Sequence, residues 1–318
     1  MGLFFLKRFV TLLATLIGAS IVVFLVLEIL PGNAAQILMG PDASPDAVAA
    51  LATKLGLDQP ASLRYWQWVS GLVVGNMGDS YAYSSPVLDL VLERLALTVP
   101  LALMAMVITT VLALAAGVYA AARHNKLGDV GVMGLAQIGI AIPNFWFAIL
   151  LILLFSVKLQ WFSAGGFPGW TEDAGGSPLE ALKALLLPAI ALAVVQAAIL
   201  ARITRSAVLE VLREDFVRTA RAKGLTQRAA LWGHVLRNAM IPVVTVMGLQ
   251  FANLLAGTIV VENVFYLPGL GRLMIDSIFA RDYPVLQGCL LFTACIYVVI
   301  NLVVDMCYPL FDPRVSVQ

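Results

Sequence analysis

Six stretches of this sequence carry no Asp, Glu, Lys or Arg, and each is close to the length that crosses a bilayer as a helix. They cover residues 9–27, 95–122, 130–157, 184–201, 238–261 and 284–304. A helix needs about 20 predominantly apolar residues to cross the hydrocarbon core. No water reaches the backbone there, so a helix that satisfies its own amides and carbonyls is the natural spanning form. The expectation is an all-α polytopic membrane protein, one transmembrane domain over 1–318 with six transmembrane helices. The spans fall at about 9–28, 97–122, 131–157, 184–202, 238–261 and 284–305. Charged residues make up 12% of the chain, about half the roughly 25% of a soluble domain. An ordinary soluble protein is excluded.

The first stretch follows Lys7 and Arg8, as the core of a signal peptide would. Such a core runs about 7–15 residues, whereas 9–27 is longer and leads into Leu30-Pro31-Gly32. It is read as a retained span. Three cysteines, Cys289, Cys295 and Cys307, share the last apolar segment, so no disulfide framework is indicated.

The loops give the orientation. Basic residues are enriched on the cytoplasmic side of membrane proteins. Arg123 and Lys126 fall in one short loop. Arg202, Arg205, Arg213, Arg218, Arg221, Lys223, Arg228 and Arg237 cluster around another. With Lys7, Arg8 and Arg314 on the same side, both termini are expected in the cytoplasm. The insert at 29–94 is then extracytoplasmic and the loop at 203–237 cytoplasmic. Within the insert, Ser44 followed by Pro45 reads as a helix cap, and Gly56 as its stop. Pro60 opens a second amphipathic piece whose Tyr65, Trp66 and Trp68 suit the headgroup level. The outer loop at 158–183 carries Trp161, Phe162, Phe167 and Trp170 as interfacial anchors. Pro143 and Pro188 fall inside spans and read as kinks.

The missing chemistry narrows the function. No span holds an ionisable residue near its middle; the interior polar groups are amides, including Gln137, Asn144, Gln196, Gln250, Asn253 and Asn301. Proton-driven carriers generally need Asp, Glu or His inside the membrane. No HExxH, CxxC or nucleophile elbow occurs, and no GxxxxGK[ST] phosphate loop. Gly269 and Gly271 after Pro268 mark a turn and not such a loop. ATP, if it drives this chain, must be bound by another one. A secondary carrier using Asp305 or Glu28 and a scaffold that docks a cytoplasmic partner are the rival readings.

The charged loop has a shape as well as a sign. Val208, Val211, Leu212 and Phe216 recur at helical spacing and predict an apolar stripe. Arg213, Arg218, Arg221 and Lys223 alternate with Glu214 and Asp215 on the remaining surface. Gly224 is placed to end the helix in a left-handed conformation, and Thr226 to cap a second helix running into the fifth span. Both ends of this helix–glycine–helix elbow are tethered to spans, which argues against nucleic-acid binding.

At this point the residues resemble a family. Arg218-Thr-Ala-Arg-Ala-Lys-Gly-Leu225, followed by His234-Val-Leu-Arg-Asn-Ala-Met-Ile-Pro242, is similar to the coupling loop of permeases from ATP-binding-cassette importers of type I. The nearest subset is the first permease subunit of dipeptide, oligopeptide and nickel importers. The resemblance extends to Leu30-Pro-Gly32, Leu55-Gly-Leu-Asp-Gln-Pro60, Glu93-Arg-Leu95, Ile142-Pro-Asn-Phe-Trp146 and Glu262-Asn-Val-Phe-Tyr-Leu-Pro-Gly-Leu-Gly271. The chain departs from the general motif, which begins Glu-Ala-Ala, at Arg218-Thr219-Ala220; Arg237 and Ala96 stand where proline is common.

The resemblance implies a second homologous permease subunit, two cytoplasmic ATP-binding subunits and an extracytoplasmic solute-binding protein, all around a path in a bacterial cytoplasmic (inner) membrane. It implies no cofactor in this chain, with ATP and Mg held by the partner ATPases. Membrane lipid would be the remaining partner. It assigns ATPase coupling to Asp215, Arg218, Thr219, Ala220, Lys223, Gly224 and Leu225. Asn144, Gln250, Asn253 and Glu262 are the expected path residues, for peptides or similar small solutes.

Overall fold

In the computed structural model, residues 2–29 and 34–311 are described, with side chains over 7–29 and 34–303. The Leu30-Pro31-Gly32 motif, Arg314 and the side chains of Asp305 and Cys307 lie outside the described residues. Helices dominate, and the chain divides into two compact units: Met1–Thr98 with Pro268–Val299, and Val99–Leu267 with Ile300–Gln318.

The first unit begins with α1 (Gly2–Ile29), the short α2 (Ala34–Met39) and α3 (Pro45–Lys54). Ser44 caps α3 by accepting from the Ala47 amide, with Pro45 in the first turn. Gly56, at φ +69°, closes it: the Gly56 amide donates to Thr53 O and the Leu57 amide to Ala52 O, at 3.0 and 2.9 Å. Both signals anticipated from the sequence are present. Helix α4 (Ala61–Val73) follows and leans on α1. Tyr65 sets its ring edge-on to Phe24 at 5.3 Å and its hydroxyl 3.0 Å from Ser20 Oγ, while Trp68 stacks near the same Phe24. Trp66 is 67% exposed, while Tyr65 and Trp68 are half-buried. Tyr65 and Trp68 hold the insert to the first span.

Helix α5 (Val87–Ala122) starts in this unit, and α12 (Leu270–Ala280) and most of α13 (Tyr283–Phe311) belong to it. Asp282, fully buried between α12 and α13, accepts from Ser80 Oγ and from the Tyr81 and Ala82 amides. A buried carboxylate needs such donors, and here they pin the turn at 79–86. Glu28 and Arg64 pair directly in the lining of a cavity of about 1120 Å³, where Lys54, Gln67, Asn76 and Tyr81 also lie.

The second unit is built around α8 (Pro178–Val211). Its inner surface is largely alanine, and Ala189, Ala191, Leu192, Ala193 and Leu200 are at most 0% exposed. Against it pack α6 (Leu127–Ala141), α7 (Asn144–Leu151) and α11 (Leu236–Val264). Small residues let helices approach closely in a membrane, where packing rather than hydrophobicity drives association. Helix α5 crosses α8 closely: a Cβ at Gly117 would lie 2.7 Å from Ala201 O and 2.6 Å from Thr204 Cβ. The loop at 158–183 is tied to the end of α11, where the Gly166 amide donates to Phe265 O at 2.9 Å.

Among the described residues, five helices are long and apolar enough to cross a membrane, and a sixth span would be the pair Leu127–Ala141 and Asn144–Lys158, bent by 102°. The bend is sharper than a kink. Pro143 offers no amide and pushes its neighbour Ile142 into extended backbone, at φ −87° and ψ 123°. Helix α7 then widens into a π-helical stretch over Ile152–Lys158.

Candidate coupling site

The elbow is assembled by backbone motifs more than by packing. Helix α8 stops at Leu212, and a three-residue turn delivers the chain to Glu214 in extended conformation. From there α9 (Asp215–Ala222) runs for only 8 residues, with Asp215 in its first turn and Arg221 in its last. Those charges oppose the helix dipole favourably at both ends. Helices shorter than about 12–15 residues are marginal in water by themselves, so α9 needs anchors.

One anchor is Val217, 1% exposed, which joins a core cluster with Val208, Leu231, Val235 and Ala239. Burying one valine fully is worth about 1.5–3 kcal/mol. The apolar stripe differs here from the sequence expectation. It continues from Val208 through Val211 and Leu212 to Val217, and Phe216 is 43% exposed. The reason is the break at 212–214, which resets the helical phase; a stripe drawn through one unbroken helix lands one residue early.

The second anchor is the C-terminal cap. Gly224 has φ +94°, its amide donates to Arg221 O at 3.0 Å, and the Leu225 amide donates to Ala220 O at 3.3 Å. That double closure is a Schellman motif, which glycine adopts without steric cost. A Cβ at Gly224 would meet nothing within 4 Å, so backbone conformation alone demands glycine. Thr226 Oγ1 then accepts from the Ala229 amide at 3.2 Å and starts α10 (Gln227–Ala230). A π-helical turn over Leu231–Val235 carries the chain into α11.

The outer face of the elbow presents Asp215, Arg218, Thr219, Lys223, Gly224 and Leu225, all exposed, with Ala220 half-buried behind them. Asp215 and Arg218 pair at 3.2 Å, but their side chains are 94% and 73% exposed. Such a surface pair contributes at most about 1 kcal/mol and leaves both charges open to a partner. The seven residues assigned to coupling thus lie on one short, capped protrusion.

The path residues are dispersed. Gln250 is buried, donating from Nε2 to Gln196 O at 3.1 Å, and Glu262 is 0% exposed. Asn144 opens α7 at the bend, half-buried, and Asn253 is exposed on α11. Two of the four therefore serve the interior of this chain, and Asn253 is the one displayed on its surface.

The sequence reading missed a further group. Asp129, in the first turn of α6, is 3% exposed and receives Arg205 Nε at 2.6 Å and an Arg205 terminal nitrogen at 2.7 Å. The Asn125 amide donates to it at 3.0 Å, and His124 Nδ1 lies 3.1 Å from the Arg205 guanidinium. This forked pair, the strongest carboxylate–guanidinium geometry, ties the α5–α6 turn to α8 two turns or so before the elbow. A lone acid in a basic turn was its only trace in the sequence.

Comparisons with known proteins now decide the family. Residues 113–317 match the model described as binding-protein-dependent transport system inner membrane component, and residues 1–102 match that of the N-terminal part of such membrane components. The chain belongs to this family. It is 43% identical over 310 residues to a putative peptide transport system permease protein of Brucella suis, covering 98% of both chains. A di/tripeptide transport system permease protein of Pseudomonas aeruginosa is 40% identical over 332 residues, 99% of both. A glutathione transport system permease protein of Escherichia coli is 41% identical over 310 residues, 98% of this chain and 97% of the relative.

Among solved structures, the inward-facing MetNI methionine transporter aligns with TM-score 0.55 at 18% identity, over 70% of this chain and 96% of that one. An amino acid transporter solved with histidines gives 0.51 at 19%, over 71% and 94%. These share the fold. The chain is accordingly a permease subunit of an ATP-binding-cassette importer, non-catalytic itself, working with separate ATPase and substrate-binding proteins. The secondary-carrier and scaffold readings are set aside by that membership.

Proposed function

We propose that this chain lines, with a second homologous permease, the path by which peptides or similar small solutes enter a bacterium across its inner membrane. Peptide and glutathione permeases among its relatives support the substrate class. Both termini and the elbow face the cytoplasm, where two ATPase subunits bind ATP with Mg; the insert at 29–94 faces outward, toward the solute-binding protein. The basic loops support this orientation.

The observation that carries the mechanism is the first helix of the elbow: one buried valine inward, a capped polar face outward. An ATPase groove grips the outer face. Movement of the grip is passed through Val217 into the cluster shared by α8 and α11, and through Arg205–Asp129 into α6. Those helices then move together, a rigid-body change of the kind that opens one side of a transporter while closing the other. Asn253 supplies an uncharged contact to passing solute, and its replacement tests the path: Asn253→Leu should change uptake kinetics while leaving assembly intact, and unchanged uptake would remove it. The wider proposal is tested by reconstituting the four kinds of subunit in vesicles. ATP-dependent di- or tripeptide uptake is expected; uptake that ignores ATP but collapses with the proton gradient would contradict it.

A further inference from the structure

Beside the second helix of the elbow, within the second unit, lies a groove of about 970 Å³ between the end of α5 and the segment joining α10 to α11. Its walls are apolar, with Leu114 and Val118 on α5 facing Leu231 and Leu236. At the end nearest the loop the character changes, for Arg123 and Arg228 complete the lining. Along α5 the distance from Leu114 to Arg123 is about 13 Å at the helical rise of 1.5 Å per residue. That is close to the roughly 15 Å of one leaflet's hydrocarbon. The groove therefore grades from apolar to cationic over one leaflet.

Two aromatic residues mark where the change occurs. Trp232 is 59% exposed and Tyr119 46%, and both line the groove. Exposed tryptophan and tyrosine favour the headgroup level of a membrane. The Arg123 guanidinium sits 5.6 Å over the Tyr119 ring, an arrangement that orients it without neutralising it. Among the described residues neither Arg123 nor Arg228 is paired with a carboxylate. The charge they offer is open.

We infer that this groove holds an anionic phospholipid of the cytoplasmic leaflet, its phosphodiester between Arg123 and Arg228 and one acyl chain along Leu114 and Val118. Guanidinium groups suit phosphate oxygens in geometry and charge, and a helix from another subunit would have to bring carboxylates to the same point. The inference rests on the cytoplasmic placing of the elbow proposed above. Its consequence is regulatory. The wall opposite α5 includes the π-helical turn Leu231–Val235, a wide turn of the type found at functional sites. A lipid seated there braces the joint between the elbow and the fifth span, so coupling depends on anionic lipid.

The complete transporter, freed of bound lipid, is titrated with phosphatidylglycerol or phosphatidylethanolamine of equal chain length and read by native mass spectrometry. Wild type should retain phosphatidylglycerol preferentially. The double variant R123Q/R228Q should lose that preference by about tenfold or more, as expected when two cations near an anionic surface are neutralised. R123K/R228K, which keeps the charge, should retain most of it and controls for folding. In vesicles, adding phosphatidylglycerol should raise ATP-driven uptake by wild type and leave R123Q/R228Q unmoved. Equal retention by R123Q/R228Q overturns the site, as does a structure of the assembly with a partner helix in the groove. If wild type binds phosphatidylglycerol selectively yet transports nothing in any lipid, the functional reading fails and the site stands.

Discussion

Helix α8 and the elbow it carries are neighbours in sequence and are stabilised in opposite ways. Over its most apolar window α8 is 61% buried, and its position is fixed by close contacts with α6, α7 and α11. The elbow exposes most of its residues and is fixed by a few buried ones, Val217 in α9 with Ala230 and Leu231 behind it, together with a Schellman closure and a threonine cap. Packing makes the one rigid. Backbone motifs give the other a defined shape while leaving its surface free for a partner. The proposed lever thus combines a stiff shaft with a head whose form is set by its own backbone motifs.

Disturbing the shaft should cost the most. Arg205→Ala strands the buried carboxylate of Asp129, and breaking such a pair from one side costs about 3–5 kcal/mol. A large drop in the thermal midpoint of the purified subunit or complex is expected; a midpoint within a degree of wild type would show that the α6–α8 tie contributes nothing. Next, Gly117→Val drives side-chain atoms into Ala201 O and Thr204, where a Cβ alone would sit at 2.7 and 2.6 Å. Overpacking of this kind costs about 1–3 kcal/mol, and reduced yield of folded protein from membranes would register it.

The head should respond more mildly in stability. Thr226→Ala removes the cap on α10 and should cost about 1 kcal/mol, visible as faster hydrogen exchange over 226–231 with the core unchanged. Exchange altered equally in α8 would break the distinction between shaft and head. Smallest of all, Asp215→Asn removes an exposed pair worth at most about 1 kcal/mol. Stability should scarcely change, and any effect should appear in ATPase binding.

The same contrast explains how much could be read from the sequence. The elbow was legible because its determinants are local: Gly224 and Thr226 act on residues three to five positions away, as do Ser44 and Gly56 in the insert. The spans were legible from their lack of charge. What escaped was long-range or depended on phase. Asp129 and Arg205 stand 76 positions apart, and nothing in either neighbourhood names the other. Val217 rather than Phe216 faces inward because three residues of turn shift the register. The burial of Gln250 and Glu262 follows from which face of α11 meets its neighbours, and a uniformly apolar helix carries little periodic signal to tell its faces apart.

The proposed role of the elbow as a lever is tested most directly at Gly224. Valine there is driven out of the left-handed conformation at a local cost of about 1–2 kcal/mol, with no clash to confuse the result. The measurement is substrate uptake per ATP hydrolysed by the reconstituted transporter carrying Gly224→Val. The account predicts an assembled complex whose uptake falls several-fold while its ATPase activity loses its response to substrate. Full substrate-stimulated ATPase activity together with full uptake would contradict it.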